Sequence, residues 1–325
     1  MQTMLSIDIP QLPRPITYTD KVLLVGSCFT EHISDRLQQH KFSVVSNPNG
    51  ILFNPLSVAS AIDGYIDGRQ YSNGELFYLN ELWNSWDHHT RFSDIDADAA
   101  VKGINESQKR AAGCIQTADW VIITLGSAFQ YYLKETGLPV SNNHRAPGQW
   151  FEKRLLTIDE IVAATSATLK KLFRINPNAN VLFTISPVRH IRDGVIENNR
   201  SKARLIEAVH ALCGQFEKAF YFPAYEIVID VLRDYRFYDI DFVHPNYPAT
   251  AYVWERFVSS CIAPATAAIM KQVQEITTAK AHRPRFPQTE AHRKFREDCA
   301  AKVRVLAENY PFLNLSEEAV FFTGK

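Results

Sequence analysis

The chain has 325 residues, of which 46% are hydrophobic and 22% are charged. These are ordinary values for a globular protein, and a chain of this length buries about three quarters of the surface that its unfolded form exposes. Its 35 basic and 35 acidic side chains cancel, so no overall field draws it to nucleic acid or to an anionic membrane. We therefore expect a folded protein that has neither partner.

The cysteines and the apolar runs predict the compartment. The odd number of cysteines and the absence of a closely spaced pair argue against a disulfide framework. The N-terminal segment lacks a basic stretch followed by a long apolar run, so no signal peptide is predicted. No stretch approaches the roughly 18 uninterrupted apolar residues of a membrane-spanning helix. The sequence thus predicts a cytoplasmic protein.

The first half of the chain alternates short apolar runs with amphipathic stretches. The run 21–25 (KVLLV) stops at a glycine and predicts a buried strand. The spacing of Phe29, Ile33 and Leu37 predicts a helix from 28 to about 41. Further along, the sequence predicts a strand over 42–46, a helix over 56–66, a hairpin or irregular insertion over about 68–93, a helix ending near 114 and a strand over 118–125.

The second half of the chain repeats the cycle. The predicted elements are a helix over 158–173, a strand over 180–185, a helix over 198–216, a fifth strand over 225–231 (YEIVIDV), a helical region over 247–274 interrupted near Pro264, and a last helix over about 289–308. Five strands that alternate with helices predict an α/β fold, a three-layer sandwich with a central, mostly parallel five-stranded sheet. We place one domain over 1–280, with the insertion inside it, and a C-terminal helical appendage over 281–325.

Ser27 follows the first predicted strand and begins a helix. In an open α/β sheet, ligands bind beyond the carboxyl ends of the strands. Free backbone N–H groups and the helix dipole at this point can stabilise an oxyanion during acyl transfer, although serine is also an ordinary helix N-cap. Cys28 is a rival nucleophile if the helix N-terminus lowers the pKa of its thiol, and otherwise a small packed side chain.

Asp241 and His244 lie in the loop after the last predicted strand. An Asp three residues before a His can hold the imidazole and fix its tautomer, so that the His serves as general base to a serine. The alternative is a solvated loop with an incidental ion pair. Ser186 and His190 form a weaker Ser–His pair, because Pro187 lacks the N–H that an oxyanion would need.

The insertion contains a cluster of aromatic and histidine side chains. His88 and His89, with Trp83 and Trp86, are predicted to line a polar substrate cleft or else to form a surface hairpin. Their spacing matches no zinc site, and we predict neither a metal nor another cofactor.

A basic cluster follows the strand predicted over 180–185. Arg189 and its neighbours His190 and Arg192 are predicted to bind a substrate carboxylate or phosphate through forked hydrogen bonds. The alternative is that they pair with nearby acidic residues such as Asp193 and Glu197. The loop 142–145 (NNHR) is open to the same two interpretations.

The chain order of Ser27 and the Asp-x-x-His pair resembles that of the SGNH (GDSL-like) hydrolases. The sequence looks most like the GSCFA branch, whose first motif stands here as GSCFT (26–30), with Thr30 in place of the final Ala. Further stretches that resemble this branch are NPNGILFNP (47–55), LGSAFQYY (125–132), TISPVRH (184–190), ENNRSKA (197–203) and DFVHPNYPATAYVWERF (241–257). The resemblance covers about residues 20–262 and leaves the last sixty or so outside.

The resemblance implies a serine esterase or O-acyl hydrolase with Ser27 as nucleophile, His244 as general base and Asp241 orienting the imidazole. It implies backbone oxyanion donors at Ser27 and Gly50. The third donor of the superfamily is an Asn in a Gly-x-Asn motif, and this chain has GSA (126–128) there instead. Substitute donors and substrate contacts are then sought among nearby polar residues, namely Asn54, Ser127, Gln130, His89 and Arg189.

The leading hypothesis is hydrolysis of an acyl ester of a small molecule or carbohydrate. The aromatic and Asn-rich segment 70–93 would suit a polyhydroxylated substrate. Acyl transfer to a hydroxyl group would use the same residues. The missing Asn supports a second hypothesis, a non-catalytic binding or scaffold protein that retains the fold, and Cys28 supports a third, a thiol mechanism. No oligomeric state is predicted.

Overall fold

The computed structural model describes residues 4–324, and a five-stranded parallel sheet lies at its centre. The strands of this sheet are β1 (Lys21–Gly26), β2 (Ser43–Ser46), β5 (Trp120–Leu125), β9 (Asn180–Ile185) and β10 (Ala219–Phe222). They lie in the order β10-β9-β5-β1-β2, and every neighbouring pair is parallel. The predicted α/β class with a central parallel sheet is confirmed.

Helices cover both faces of the sheet. One face packs against α2 (Pro55–Asp67), α3 (Ala97–Ile115), α4 (Ile158–Ile175) and α5 (Val195–Gln215). The other packs against α1 (Cys28–Gln39), α7 (Tyr247–Cys261), α8 (Pro264–Ala281), α9 (Glu290–Asn309) and α10 (Ser316–Thr323). In β1, Val22 and Leu24 point into one core, whereas Leu23 and Val25 point into the other. Because successive strand residues face opposite sides, a continuous apolar run is what a strand between two helical layers requires.

Two smaller antiparallel sheets lie outside the central one. The hairpin β3 (Phe77–Leu79) and β4 (Leu82–Asn84) falls within the predicted insertion. A three-stranded sheet of β6 (Phe129–Leu133), β7 (Pro139–Val140) and β8 (Phe151–Leu155) was not predicted. These strands are short and only partly buried, so they lack the continuous apolar run that marks a central strand.

The prediction of a fifth strand over 225–231 is wrong. Residues Ala224–Glu226 form a short helix, α6, which continues as a π-helix over Ile227–Val231, and the fifth strand is β10. Ile227, Val228 and Val231 are all buried, a spacing that suits a helix face. A short β-branched run cannot be distinguished from a buried helical segment by its apolar pattern alone.

The C-terminal helices pack onto the central domain. The predicted interruption at Pro264 is confirmed, because α7 ends at Cys261 and the proline occupies the first position of α8. Buried side chains of α8 to α10, among them Met270, Leu306 and Phe322, belong to the same core cluster as β1. The domain boundary at residue 280 remains a prediction. Between residues 4 and 324, no helix combines the length and apolar character that a membrane span needs.

Candidate active site

Ser27 stands at the carboxyl end of β1, directly before α1. At Gly26, with a φ of +150°, a Cβ would lie 2.2 Å from the carbonyl oxygen of Thr124, so only glycine lets β1 approach β5 this closely. The Ser27 N–H donates to that same carbonyl at 3.1 Å. The Ser27 side chain is fully buried, and in the described part of the chain its Oγ has no hydrogen-bond partner. Its hydroxyl therefore does not cap the helix.

Asp241 and His244 are in direct contact. The Asp241 carboxylate accepts the backbone N–H groups of Val243 and His244 at 2.9 and 3.0 Å, and its other oxygen lies 2.6 Å from His244 Nδ1. These hydrogen bonds lower the pKa of Asp241 to about 2. Because an ionised carboxylate can only accept, the imidazole proton sits on Nδ1. His244 Nε2 is left with a lone pair that can take a proton.

The Asp241–His244 loop contacts the loop that follows β9. The N–H of Arg189, just after β9, donates to the carbonyl of Val243 at 3.3 Å. Burial is the main cause that lowers the pKa of His190 and of His32 in α1, and His244 lowers both of them further. The backbone hydrogen bond between Arg189 and Val243 thus ties the Asp241–His244 loop to the loop after β9. Ser27 Oγ makes no hydrogen bond to it, so a hydrogen-bonded triad is not assembled in this structure.

A cleft of about 420 Å³ opens at the same edge of the sheet. It is lined by the loops after β5 and β9, by the three-stranded sheet and by the segment that leads into α2. The lining residues are Phe53, Asn54, Ser127, Phe129, Tyr131, Val140, Ser141, Asn142, Asn143, Lys153, Arg189, His190, Ile191, Arg192, Asp193 and Val243. Two residues of the predicted polar loop 142–145 are among them. The cleft is therefore mixed in character, with aromatic, amide and charged side chains.

The charged residues of the cleft leave an excess of positive charge. Asp193 pairs with Lys153, and the guanidinium of Arg189 lies 5.3 Å from the ring centroid of Tyr238. Within residues 4–324, neither Arg189 nor Arg192 forms an ion pair with a carboxylate. The alternative in which this basic cluster pairs with its acidic neighbours is wrong, because Asp193 pairs with Lys153 of β8 and Glu197 pairs with Arg200.

The two backbone donors implied for the oxyanion are both engaged. The Ser27 N–H donates to Thr124, as described above, and the Gly50 N–H donates to the carbonyl of Asn47 at 2.7 Å. Gly50 has a φ of +80°, and a Cβ on it would lie 2.2 Å from Cβ of His89. A glycine is thus required at position 50 by close packing.

The three substitute donors differ in their placement. Asn54 caps α2, where Oδ1 accepts the Ser57 N–H and Nδ2 donates to Ser57 Oγ, both at 2.9 Å. Ser127 Oγ accepts the Phe129 N–H at 3.1 Å. Gln130 is fully buried away from the cleft, and its Nε2 donates to the carbonyls of its neighbour Tyr131 and of Val140. Asn54 and Ser127 reach the cleft surface, whereas the Gln130 amide is used within the small sheet.

The aromatic cluster of the insertion forms a core of its own. Trp86 stacks on Phe77 with ring centroids 3.5 Å apart, and neither Trp86 nor Trp83 lines the cleft. His88 is buried, with Nδ1 2.9 Å from Ser85 Oγ, and burial lowers its pKa to about 3. His89 packs against Gly50 and is also absent from the cleft lining. The prediction that these side chains line a substrate cleft is wrong, because none of them lines the cleft. Trp86 and His88 pack inside the insertion, whereas Trp83 and His89 are partly exposed outside the cleft.

The position of Cys28 does not favour a thiolate. Burial raises the pKa of its thiol, and this effect exceeds the opposing one of the Phe29 N–H at the helix N-terminus. The thiol hypothesis required the opposite shift. Cys28 is better described as a packed side chain at the start of α1.

The buried position of Lys202 near this site was not predicted from the sequence. Lys202 is buried in α5, and its Nζ donates to the carbonyls of Gly126 and Ser186 at 2.7 and 2.6 Å. Burial lowers its pKa to about 7. A signal was present, because Lys202 precedes Leu205 by three residues and so falls on the apolar stripe of its helix. Its amine ties together the loops that follow β5 and β9.

Other residues of the same helix hold these loops as well. Asn198 Oδ1 accepts the backbone N–H of His190 at 2.9 Å, and Ser201 Oγ accepts that of Ala128 at 2.7 Å. Both residues are buried. The stretch ENNRSKA (197–203) therefore acts as a support for the strand ends around the cleft.

A model of the GSCFA family matches residues 21–257. The chain belongs to the GSCFA family. A second model, described as the C-terminal domain of a GSCFA domain protein, matches residues 273–323 of this GSCFA chain. The expectation that the last sixty residues or so lie outside the resemblance is thereby corrected.

More distant comparisons add little to this assignment. No curated protein matches the sequence. Among solved structures, an acetyl xylan esterase from the rumen bacterium Butyrivibrio proteoclasticus is 12% identical to the GSCFA chain, with a TM-score of 0.37. The match covers 75% of this chain and 64% of that one, so the chain spans less than two thirds of the esterase's length.

Proposed function

We propose that this GSCFA protein is a serine O-acyl hydrolase that cleaves an ester of a small molecule. Ser27 is the nucleophile, His244 the general base and Asp241 the residue that orients the imidazole. The proposal is carried by the 2.6 Å hydrogen bond between Asp241 and His244 Nδ1. It leaves Nε2 as the free base on a loop that the Arg189 N–H holds next to the end of β9. A histidine oriented by a carboxylate in this way is the base that acyl transfer by a serine needs.

The reaction has two halves that use the same base. Ser27 Oγ attacks the ester carbonyl carbon while His244 Nε2 takes the hydroxyl proton, and Asp241 stabilises the imidazolium. The carbon–oxygen bond to the alcohol breaks, and the alcohol leaves with that proton. Water then attacks the acyl group on Ser27 and gives a proton to His244. The acid departs and the proton returns to Ser27. In acyl transfer, a second hydroxyl group replaces water.

Substrate must reach a hydroxyl that is buried in this structure. Phe53 and His190 line the cleft, Ser27 does not, and all three side chains meet at Gly126. We infer that Phe53 and His190 separate Ser27 from the cleft.

A binding protein that keeps the fold without the reaction is the second candidate. Ser27 Oγ is buried without a hydrogen bond, and the N–H groups of Ser27 and Gly50 are already engaged by protein carbonyls. These observations favour the binding role, because they describe a serine and an oxyanion site that are both closed to a substrate in this structure.

A fluorophosphonate separates the two candidates, because it phosphonylates a serine only when a base and an oxyanion site activate that serine. We expect one adduct per chain on Ser27, mapped by mass spectrometry of the pure protein. His244→Ala should lose the adduct while unfolding at the same temperature as the wild type, since the His244 side chain is half exposed. A folded wild-type protein that gains no adduct would support the binding role.

The charge of the cleft bears on the substrate class. Arg189 and Arg192 are cationic and unpaired, so we infer that the ester carries an anionic group, a carboxylate or a phosphate. The compositional reason for a polyhydroxylated substrate does not hold, because Trp83 and Trp86 lie outside the cleft.

We expect Arg189→Gln to lower kcat/KM by about tenfold or more for p-nitrophenyl hemisuccinate, which is anionic, through loss of a charge-assisted hydrogen bond. The same variant should leave p-nitrophenyl butyrate, a neutral ester, unchanged. Arg200→Gln is the matched control, because Arg200 pairs with Glu197 outside the cleft. Equal losses on both esters would contradict the inferred substrate class.

A further inference from the structure

Three side chains converge on Gly126 at the end of β5. A Cβ on this glycine would lie 3.3 Å from Ser27 Cβ, 3.3 Å from Phe53 Cδ1 and 3.4 Å from His190 Nε2. His190 Nε2 and Ser27 Oγ are both buried, and neither has a hydrogen-bond partner among the residues that the structure describes. Buried polar atoms are nearly always paired in folded proteins. Two unpaired polar atoms next to one glycine point to a ligand atom that binds between them.

Among the residues that the structure describes, none supplies a carboxylate that holds the His190 imidazole as Asp241 holds that of His244. Lys202, His244 and Lys153 all lower its pKa, and only Asp193 opposes them, while burial is the largest cause and brings the pKa to about 4. Asp193 is itself paired with Lys153. His190 is therefore neutral at neutral pH, and it lacks the Asp partner that makes His244 a base. A neutral imidazole can act as a hydrogen-bond donor to a developing negative charge.

We propose that His190 Nε2–H donates to the oxyanion that forms when Ser27 attacks an ester, in place of the Gly-x-Asn asparagine that this chain lacks. The inference rests on the proposed function of Ser27. It assigns His190 to the catalytic residues, because its N–H touches the reacting oxygen. Such a donor acts in a site from which water is excluded, where a preorganised hydrogen bond has its largest effect.

The surroundings of His190 hold the imidazole in place. Its backbone N–H donates to Asn198 Oδ1 at 2.9 Å, and the Phe53 ring meets it edge-on with centroids 5.3 Å apart. Lys202 fixes the carbonyl of Gly126 on one side and that of Ser186 on the other. The absence of a side chain at Gly126 keeps open the space between Ser27 and His190, which is where the oxyanion would lie.

Two substitutions at position 190 separate a donor from a packing role. His190→Leu removes the N–H and keeps much of the volume, whereas His190→Gln offers an amide N–H near the position of Nε2. With an ester that the wild type hydrolyses, we expect His190→Leu to lower kcat about 100- to 1,000-fold with little change in KM. His190→Gln should recover a large part of that loss. Rates of fluorophosphonate labelling at Ser27 should follow the same order, because phosphonylation places an oxygen in the same position.

Gly126→Ala tests the same idea with His190 intact. The added methyl group would occupy the space between Ser27 and His190, so kcat should fall although all the named side chains remain. This variant also serves if His190→Leu does not fold. Thermal unfolding of each variant identifies those that are folded.

The outcomes distinguish this inference from the proposed function. A wild type without a Ser27 adduct overturns both. If the wild type is labelled on Ser27 but His190→Leu reacts at the wild-type rate, the role of His190 alone is overturned. The same holds if a folded Gly126→Ala protein reacts at the wild-type rate. A third outcome is that His190→Gln is as inactive as His190→Leu while His244→Ala remains active. His190 would then be the general base, and its role as a donor would be contradicted.

Discussion

Replacing Ser27 with alanine is expected to lower kcat for an acyl ester by about a millionfold, the scale of loss when a serine hydrolase loses its nucleophile. The neighbouring Cys28 thiol cannot take over, since burial raises its pKa and keeps it protonated. Stability should hardly change, because Ser27 Oγ makes no hydrogen bond in the described structure. The measurements are kcat with an ester that the wild type hydrolyses, and thermal unfolding.

Ser127→Ala is the matched control for this prediction. Ser127 lines the cleft and carries the same hydroxyl group, but that hydroxyl accepts the Phe129 N–H. We expect its kcat to remain within about tenfold of the wild type, since a typical hydrogen bond contributes about 1 kcal/mol. Turnover by a folded, uncontaminated Ser27→Ala protein would contradict the assignment of Ser27 as the nucleophile.

Asp241→Asn should lower kcat by about ten thousandfold, the loss seen when the orienting Asp of a triad becomes Asn. The reason is the tautomer of His244. An asparagine amide can donate to Nδ1, which moves the imidazole proton to Nε2 and removes the lone pair that must accept the Ser27 proton. Asp239→Asn is the control, because Asp239 lies two residues away and contacts His244 only through its backbone. Equal rates for the two variants would contradict the orienting role.

The pH dependence of Asp241 has a defined sign. Its pKa is lowered from an ordinary value of 3.8 to about 2 by the hydrogen bonds that it accepts. A carboxyl group whose pKa falls on folding stabilises the folded state above the ordinary value. That contribution is lost as the pH falls towards 2. The difference in unfolding free energy between wild type and Asp241→Asn should therefore be constant above a pH of about 4 and shrink below it. The carboxylate stays ionised across ordinary assay conditions.

Strands β1, β5 and β9 were predictable because burial on both faces forces an unbroken apolar run, as in KVLLV of β1. The same criterion failed where the run was not a central strand. YEIVIDV is equally apolar, yet Ile227 and Val231 lie one helical turn apart in α6 and its π-helical continuation. It also failed for β6 and β8, which are only partly buried. Apolar runs thus report burial well and backbone conformation less well.

The candidate site was likewise predictable only in part. The position of Ser27 and the contact between Asp241 and His244 follow from chain order, since the carboxyl ends of parallel strands share one edge of the sheet. The roles of His190 and Lys202 do not follow. Lys202 binds the backbone carbonyls of Gly126 and Ser186. Contacts to backbone atoms cannot be read from the sequence, because every residue has the same carbonyl group.

The core beneath α1 draws on both ends of the described chain. Leu12 and Ile16 belong to the same cluster as Leu313 and Phe322, and Val22 of β1 lies among them. A ribosome delivers Phe322 long after it has delivered Leu12. The nascent chain therefore carries an uncovered apolar face throughout the synthesis of α8 and α9, even when the parallel sheet has already emerged. On this side of the molecule, the core closes only after Leu313 and Phe322 have been synthesised.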